Sequence, residues 1–300
     1  MKIRITEVGP RDGLQNIRVP IPTEAKVRMV DILSESGVEE IEVSSFVSPK
    51  WVPQLADAEE VFRRIRRKEG VVYSALVPNM KGLERALSAG VDKVAVFTAA
   101  SETFNVKNTN ATIEESIRRF VPVVREAKGS GLMVRGYVST AFHCYFEGRI
   151  PPQKVLDVVN RLFDIGVDEV SLGDTIGRAV PEDVRRLLDV VLKHYPAEKV
   201  VLHFHDTYGT GIANVWTAYS EFGINRFDSS AGGLGGCPFV PGASGNVATE
   251  DVVFLFEQSG VETGVNIHRV VEGAGVIVEY TDGCVRLQSH ISRVIERGRL

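Results

Sequence analysis

Only three cysteines occur in the 300 residues, Cys144, Cys237 and Cys284. They are far apart and odd in number, which argues against a disulfide framework and for reduced thiols. No apolar run approaches the roughly 18–20 residues of a membrane span. Excess positive charge is also missing: 35 Lys and Arg stand against 39 Asp and Glu, a net charge of −4, and this argues against a general nucleic-acid or anionic-membrane binder while leaving room for a local basic patch. The opening Met1-Lys2-Ile3-Arg4-Ile5-Thr6-Glu7-Val8 has neither the apolar core of a secretory leader nor an Arg- and Ser-rich transit pattern. A cytoplasmic setting is the resulting expectation. No Pro/Gly/Ser-rich linker interrupts the chain, so residues 1–300 are read as a single domain.

What is present is ample apolar material, 44% of residues with 25% charged, in a regular order. Short β-rich runs begin near Lys2, Val38, Val71, Asp92, Leu132, Asp168, Lys199 and Asn225. Amphipathic helical segments lie between them. One carries Ala25, Met29, Ile32 and Leu33 on one face, with Thr23 as expected N-cap and Gly37 as stop. A second is expected from about Pro53 to Arg67, and a third opens with the capping box Thr112-Ile113-Glu114-Glu115 and contains Pro122, an expected kink. Pro151-Pro152 opens a fourth, and Thr249 is the expected cap of a later one. Eight β-α units with right-handed crossovers in about 260 residues predict an α/β fold, a (β/α)₈ TIM barrel over about 1–260. Residues from about 261 to 300 form a C-terminal extension with helical character at Ile291 to Arg297, expected to lid the barrel or contact another subunit.

In such a barrel the active site lies where the strands end, because the βα loops converge there. The seventh strand runs Val200-Val201-Leu202-His203-Phe204-His205, and alternation puts both imidazoles on one face. Packed histidines at a strand end would look the same, so a third ligand decides the matter. The first strand leads into Gly9-Pro10-Arg11-Asp12-Gly13, where Asp12 is either a turn residue or that ligand. Two imidazoles with a carboxylate and open positions favour Mg²⁺ or Mn²⁺, while leaving zinc and iron open. Glu42 before Ser44-Ser45, and Ser171-Leu172-Gly173-Asp174 at the end of the sixth strand, add polar groups to the same rim. The Gly-rich loop from Ala231 to Asn246 could cradle a phosphate and carries Cys237, a candidate proton donor or nucleophile.

At these residues the chain resembles the 3-hydroxy-3-methylglutaryl-CoA lyases, in the metal-dependent barrel superfamily that includes isopropylmalate and homocitrate synthases. The matching motifs are Gly9-Pro-Arg-Asp-Gly-Leu-Gln-Asn16, Ser45-Phe-Val-Ser-Pro-Lys-Trp-Val-Pro-Gln54, Ser171-Leu-Gly-Asp-Thr-Ile-Gly177, His203-Phe-His-Asp-Thr-Tyr-Gly209, Gly232-Gly-Leu-Gly-Gly-Cys-Pro238 and Gly242-Ala-Ser-Gly-Asn246, in one collinear order. The resemblance implies a divalent metal on Asp12, His203 and His205, with Asn246 as a further ligand. It also implies that Arg11 stabilises a developing enolate, Glu42 serves the polar network, and Cys237 does acid/base work on a mobile loop. His203 or a metal-held water is the implied general base, without a choice between them. An acyl-CoA thioester substrate, a homodimer, and a place in leucine degradation or ketone-body metabolism are implied as well. The chain departs from the family at His143-Cys144-Tyr145-Phe146-Glu147-Gly148, where the lyases usually carry a Gly-Cys-Pro-Tyr-Glu-Gly type segment, so substrate shape around C3 is an open question.

The expected activity is a carbon–carbon lyase splitting 3-hydroxy-3-methylglutaryl-CoA into acetyl-CoA and acetoacetate. Alternatives are cleavage of a different branched 3-hydroxyacyl-CoA, or condensation of acetyl-CoA with a 2-oxo acid. A chain that ends near residue 300 leaves no room for the regulatory C-terminal domain many such synthases carry. A silent barrel that only binds acyl-CoA is a third reading, disfavoured by the full ligand set.

Overall fold

A computed structural model describes residues 1–236, 245–281, 283 and 285–295. Among the described residues ten strands form: β1 (Arg4–Glu7), β2 (Glu40–Ser45), β3 (Val72–Leu76), β4 (Lys93–Ala99), β5 (Met133–Ser139), β6 (His143–Cys144), β7 (Gly148–Arg149), β8 (Glu169–Asp174), β9 (Val200–Phe204) and β10 (Arg226–Ser229). Eight of them close into a parallel barrel in the order β1-β2-β3-β4-β5-β8-β9-β10 and back to β1, while β6 and β7 form a small antiparallel hairpin beside it. The expected TIM barrel is thus observed, each barrel strand beginning within two residues of its sequence position.

Alternation sorts every barrel strand into two sets. Arg135 on β5 bonds Thr6 on β1, Glu40 on β2, Glu169 on β8 and Asp228 on β10, contacts that only an inward-pointing side chain can make. Tyr137, two residues on, shares that face. Between them Gly136 faces the helical layer, and a Cβ there would stand 3.0 Å from Leu162 Cδ1. The lumen is therefore polar at this level. Lys93 bonds both Glu40 and Glu169 at 2.7 and 2.5 Å, and Arg226 pairs with the second Glu169 oxygen at 2.6 Å. Three cations and three carboxylates, Asp228 included, neutralise one another. Removing any one would strand a buried charge at a cost of roughly 3–5 kcal/mol.

The apolar core lies outside this lumen, between strands and helices, where Val134, Val138, Leu172, Leu202 and Phe204 meet Val159, Leu162, Leu188 and Phe142. Several helix starts differ from expectation. Thr23 is the first residue of its helix, Thr23–Ser34, after Pro22, and its hydroxyl donates to Asp57 rather than capping. Thr249 follows the capping position of Thr249–Gln258 and donates to Glu7 across the barrel wall. The expected Pro53–Arg67 helix divides into a 3₁₀ turn, Pro53–Leu55, and a helix, Ala58–Arg64. The Thr112–Glu115 capping box forms in full, and its helix, Ile113–Gly129, continues across Pro122. A long C-terminal helix, Ile267–Tyr280, lies along Thr23–Ser34, where a Cβ on Gly273 would be 3.0 Å from Leu33 Cγ. Beyond it Gln288 N donates to Gly232 O at 2.7 Å and Ser289 bonds Asp251, so this end of the extension docks on the root of the Gly-rich loop.

Candidate metal centre and catalytic cleft

His203 lies on β9 and His205 one residue beyond it, in an isolated bridge with Asn246. Asp12 reaches them from the π-helical turn Gly9–Gly13, which folds back because the amides of Arg11, Asp12 and Gly13 all donate to Val8 O. Asp12 Oδ2 is 4.0 Å from Nε2 of each histidine. One ligand atom from each of the three lies within 4.8 Å of the others, close enough for all to share one ion at bond lengths of about 2.0–2.6 Å.

Asn246 completes the cluster. Its Nδ2 donates to Asp12 Oδ2 at 2.9 Å and to Leu234 O at 3.0 Å. Both partners accept only, which fixes the amide's orientation. Its Oδ1 is then left buried with no donor among the described residues. A buried lone pair of this kind is costly unless something positive meets it. Carboxylate, two imidazoles and an amide oxygen make a donor set that fits a divalent cation.

Electrostatics support the same states. Burial opposes ionisation of Asp12, but Arg11, His203 and His205 outweigh it and hold the carboxyl down to about 2. Burial, with His203 adding to it, brings His205 down to about 4, so its ring is neutral, as a ligand must be. Arg11 is buried yet keeps its charge through Glu42 and then Asp12. Its Nε and Nη2 meet Glu42 Oε2 at 2.6 Å, its Nη1 meets Asp12 Oδ1 at 2.6 Å, and its guanidinium lies 5.4 Å from the Tyr137 ring centroid. Burial, resisted by Arg11, raises Glu42 above its ordinary range.

The cluster opens on a cavity of about 1010 Å³ lined by Arg11, Asp12, His203 and His205 at its floor, with Tyr137, Ser171, Phe97 and Trp51 among its walls. Gly236 also lines it, and its carbonyl accepts from Asn16 Nδ2 at 2.8 Å. Cys237 follows directly in the chain and lies outside the described residues, as does Cys284.

Not every rim residue singled out by sequence enters the site. Gly173 pairs in register with His203, so Asp174 faces away from the lumen, its carboxylate accepting from the amides of Arg178 and Ala179. Glu7 also points outward, bonding Gly9 N, Ala231 N and Thr249 Oγ1. Ser171 points inward but donates to Asp228 Oδ2 at 2.7 Å. His143 is buried in its hairpin, 3.2 Å from Asp183 Oδ2. The sequence reading missed Asp228, which stands 3.3 Å from His203 Nδ1, and the pair Arg135 and Tyr137. A charged residue inside an apolar strand, as in Val134-Arg135-Gly136-Tyr137, was the available signal.

This is a barrel of the enzyme type, with its chemistry gathered at the carboxyl ends of its strands. Residues 2–277 match the HMGL-like family model, and the chain belongs to that family. It is 51% identical over 271 residues to a Pseudomonas aeruginosa protein named 3-hydroxy-3-isohexenylglutaryl-CoA/hydroxy-methylglutaryl-CoA lyase, covering 90% of each. It is 49% identical over 275 residues to the rat cytoplasmic 3-hydroxy-3-methylglutaryl-CoA lyase, covering 92% of this chain and 80% of the relative. Among solved structures, the Bacillus subtilis HMG-CoA lyase superposes with a TM-score of 0.95 at 46% identity, covering 98% of both chains. An Acinetobacter baumannii HMG-CoA lyase in complex with coenzyme A and 3-methylmalate gives 0.92 at 38% identity, covering 99% of this chain and 95% of the other.

Proposed function

We propose that this protein is a carbon–carbon lyase that splits 3-hydroxy-3-methylglutaryl-CoA into acetyl-CoA and acetoacetate. The Asp12, His203 and His205 cluster beneath a cavity shared with Arg11 is the observation that carries the reading. Asp12, His203, His205 and Asn246 would hold the cation, with hard oxygen co-ligands from water and substrate favouring Mg²⁺ or Mn²⁺. Bound there, a divalent ion supplies Lewis-acid polarisation of substrate oxygens.

This chain's residues do the rest. The 3-hydroxyl gives up its proton, its oxygen becomes the ketone of acetoacetate, and the C2–C3 electron pair passes into the thioester as an enolate. Arg11, permanently charged and held by Glu42 and Asp12, offers its guanidinium to the oxygen where that charge develops. Glu42 keeps the guanidinium aimed. Carbon C2 then takes a proton to give acetyl-CoA, and Cys237, next to the cavity-lining Gly236, is the assigned donor. His203 would act as a ligand through Nε2; with Nδ1 facing Asp228, a ligating ring has no free nitrogen, which leaves a water in the cleft as the acceptor of the hydroxyl proton.

The coenzyme A seen with the Acinetobacter baumannii neighbour and the size of the cavity support an acyl-CoA thioester as substrate. We further propose that residues 1–300 form one domain working as a homodimer in the cytoplasm. No helix among the described residues is long and apolar enough to cross a membrane. Purified protein supplied with Mg²⁺ or Mn²⁺ should release acetoacetate from the thioester and stop when chelator is added. No acetoacetate under either metal sinks the assignment. A longer 3-alkyl substituent is the second reading, favoured by Leu76, Phe97, Phe104, Phe120 and Val138 in the cavity wall and by the Pseudomonas aeruginosa relative's name. Comparative rates on 3-hydroxy-3-alkylglutaryl thioesters separate the two.

A further inference from the structure

The two histidines of the cluster are held differently. His205 Nδ1 is buried with no hydrogen-bond partner among the described residues. His203 Nδ1 lies 3.3 Å from Asp228 Oδ2, and this carboxylate is itself fixed by two further donors. Ser171 Oγ donates to the same Oδ2 at 2.7 Å, and Arg135 Nη1 donates to Oδ1 at 3.0 Å. Arg135 in turn is locked by Glu169 at 2.6 Å and by Glu40 and Thr6, each at 3.1 Å. Asp228 pairs in register with His203 on the neighbouring strand, so the two side chains rise from the same level of the lumen wall.

A carboxylate that already accepts from Ser171 and Arg135 can only accept from the imidazole as well. His203 Nδ1 must then carry the proton, and Nε2, facing Asp12, must present its lone pair. We propose that Asp228 is the positioning residue of this centre: backed by the Arg135 network, it imposes the Nδ1–H tautomer on His203 and so prepares Nε2 for the cation. His205 has no such partner among the described residues, so its tautomer would be set by the ion. Outer carboxylates of this kind are a general device for orienting ligating histidines, and losing one weakens metal binding by about 10–100-fold. The inference rests on the proposed reading of Asp12, His203 and His205 as ligands.

The first test needs no variant. In metal-free, ¹⁵N-histidine-labelled protein at alkaline pH, where the ring is neutral, the His203 signals, assigned by their loss in His203→Asn, should show one tautomer, protonated at Nδ1. A ring protonated at Nε2, or an even mixture, overturns the proposal. The second test titrates Mn²⁺ into metal-free protein by calorimetry. Asp228→Asn, whose amide can donate to Nδ1 and force the opposite tautomer, should bind about 10–100-fold more weakly; Ser171→Ala, which leaves the carboxylate and Arg135 in place, should bind within a few-fold of wild type. Equal affinity in wild type and a folded Asp228→Asn overturns the positioning role. If Asp228→Asn does not fold, the wild-type spectrum still decides. Wild-type protein that binds no Mn²⁺ refutes the metal reading instead, a result the tautomer measurement does not share.

Discussion

Glu7→Gln should remove a pH dependence from the stability of the metal-free barrel. The Glu7 side chain is buried on the outer face of β1 with no cation beside it among the described residues; burial, reinforced by Glu250, pushes its carboxyl up from 4.5 to about 7, against the pull of Thr249 Oγ1 and the amides of Ala231 and Gly9. A carboxyl raised in the folded state binds more protons there than in the unfolded chain between the two values, so folding loses stability as pH rises through that window. The difference is worth on the order of 3 kcal/mol at 1.36 kcal/mol per unit. It is fully present as a penalty above about pH 7 and absent below about pH 4.5. Glutamine keeps the geometry. Its carbonyl oxygen accepts from Gly9 and Ala231 as Oε1 does, and its amide donates to a reoriented Thr249 hydroxyl, which already shares a bond with Ser229 at 2.8 Å. Thermal unfolding followed by circular dichroism in chelator, from acid to neutral pH, should show wild type falling relative to Glu7→Gln by roughly 5 °C. Parallel curves across that range, or a wild type that gains on the variant as pH rises, would refute the account of Glu7 as a carboxyl stranded outside the site.

Three further outcomes follow from the centre itself. His205→Ala should lower Mn²⁺ affinity by at least about 100-fold in calorimetry, more than the loss of an orienting group, because a ligand atom is gone; unchanged affinity would remove His205 from the centre. Arg11→Gln should reduce kcat by about 10²–10³-fold with a smaller change in KM, as for a group that meets charge mainly in the transition state, whereas a KM effect alone would make Arg11 a binding residue only. Gly245→Ala would place a Cβ 2.3 Å from Gly233 O and 2.7 Å from Gly235 N, both backbone atoms. The shift this forces should displace Asn246 and cost both melting temperature and metal affinity, and a variant matching wild type in both would contradict the tight packing of the loop root.

Strand order and the polar residues at strand ends were legible in the sequence because each barrel strand is a short apolar run between helical periods, and His203-Phe204-His205 carries its own parity. What a single strand does not reveal is its register against the next, and one residue of slip exchanges the two faces. Asp174 stood at a strand end among the expected rim groups and Glu7 ends the first strand, yet both lie on the outward set. Register decides it: His203 pairs with Gly173 on one side and Asp228 on the other, and Asp228 pairs with Thr6. Residues in register share a face, so Thr6, Gly173 and Asp228 point inward with His203, while Glu7 and Asp174, one residue on, point out. The same relation that removes two carboxylates from the lumen brings in Asp228. The spacing of His203 and His205 puts both imidazoles on one face, and the neighbouring strand's register marks which carboxylate stands behind His203; only the first of these is written locally in the chain.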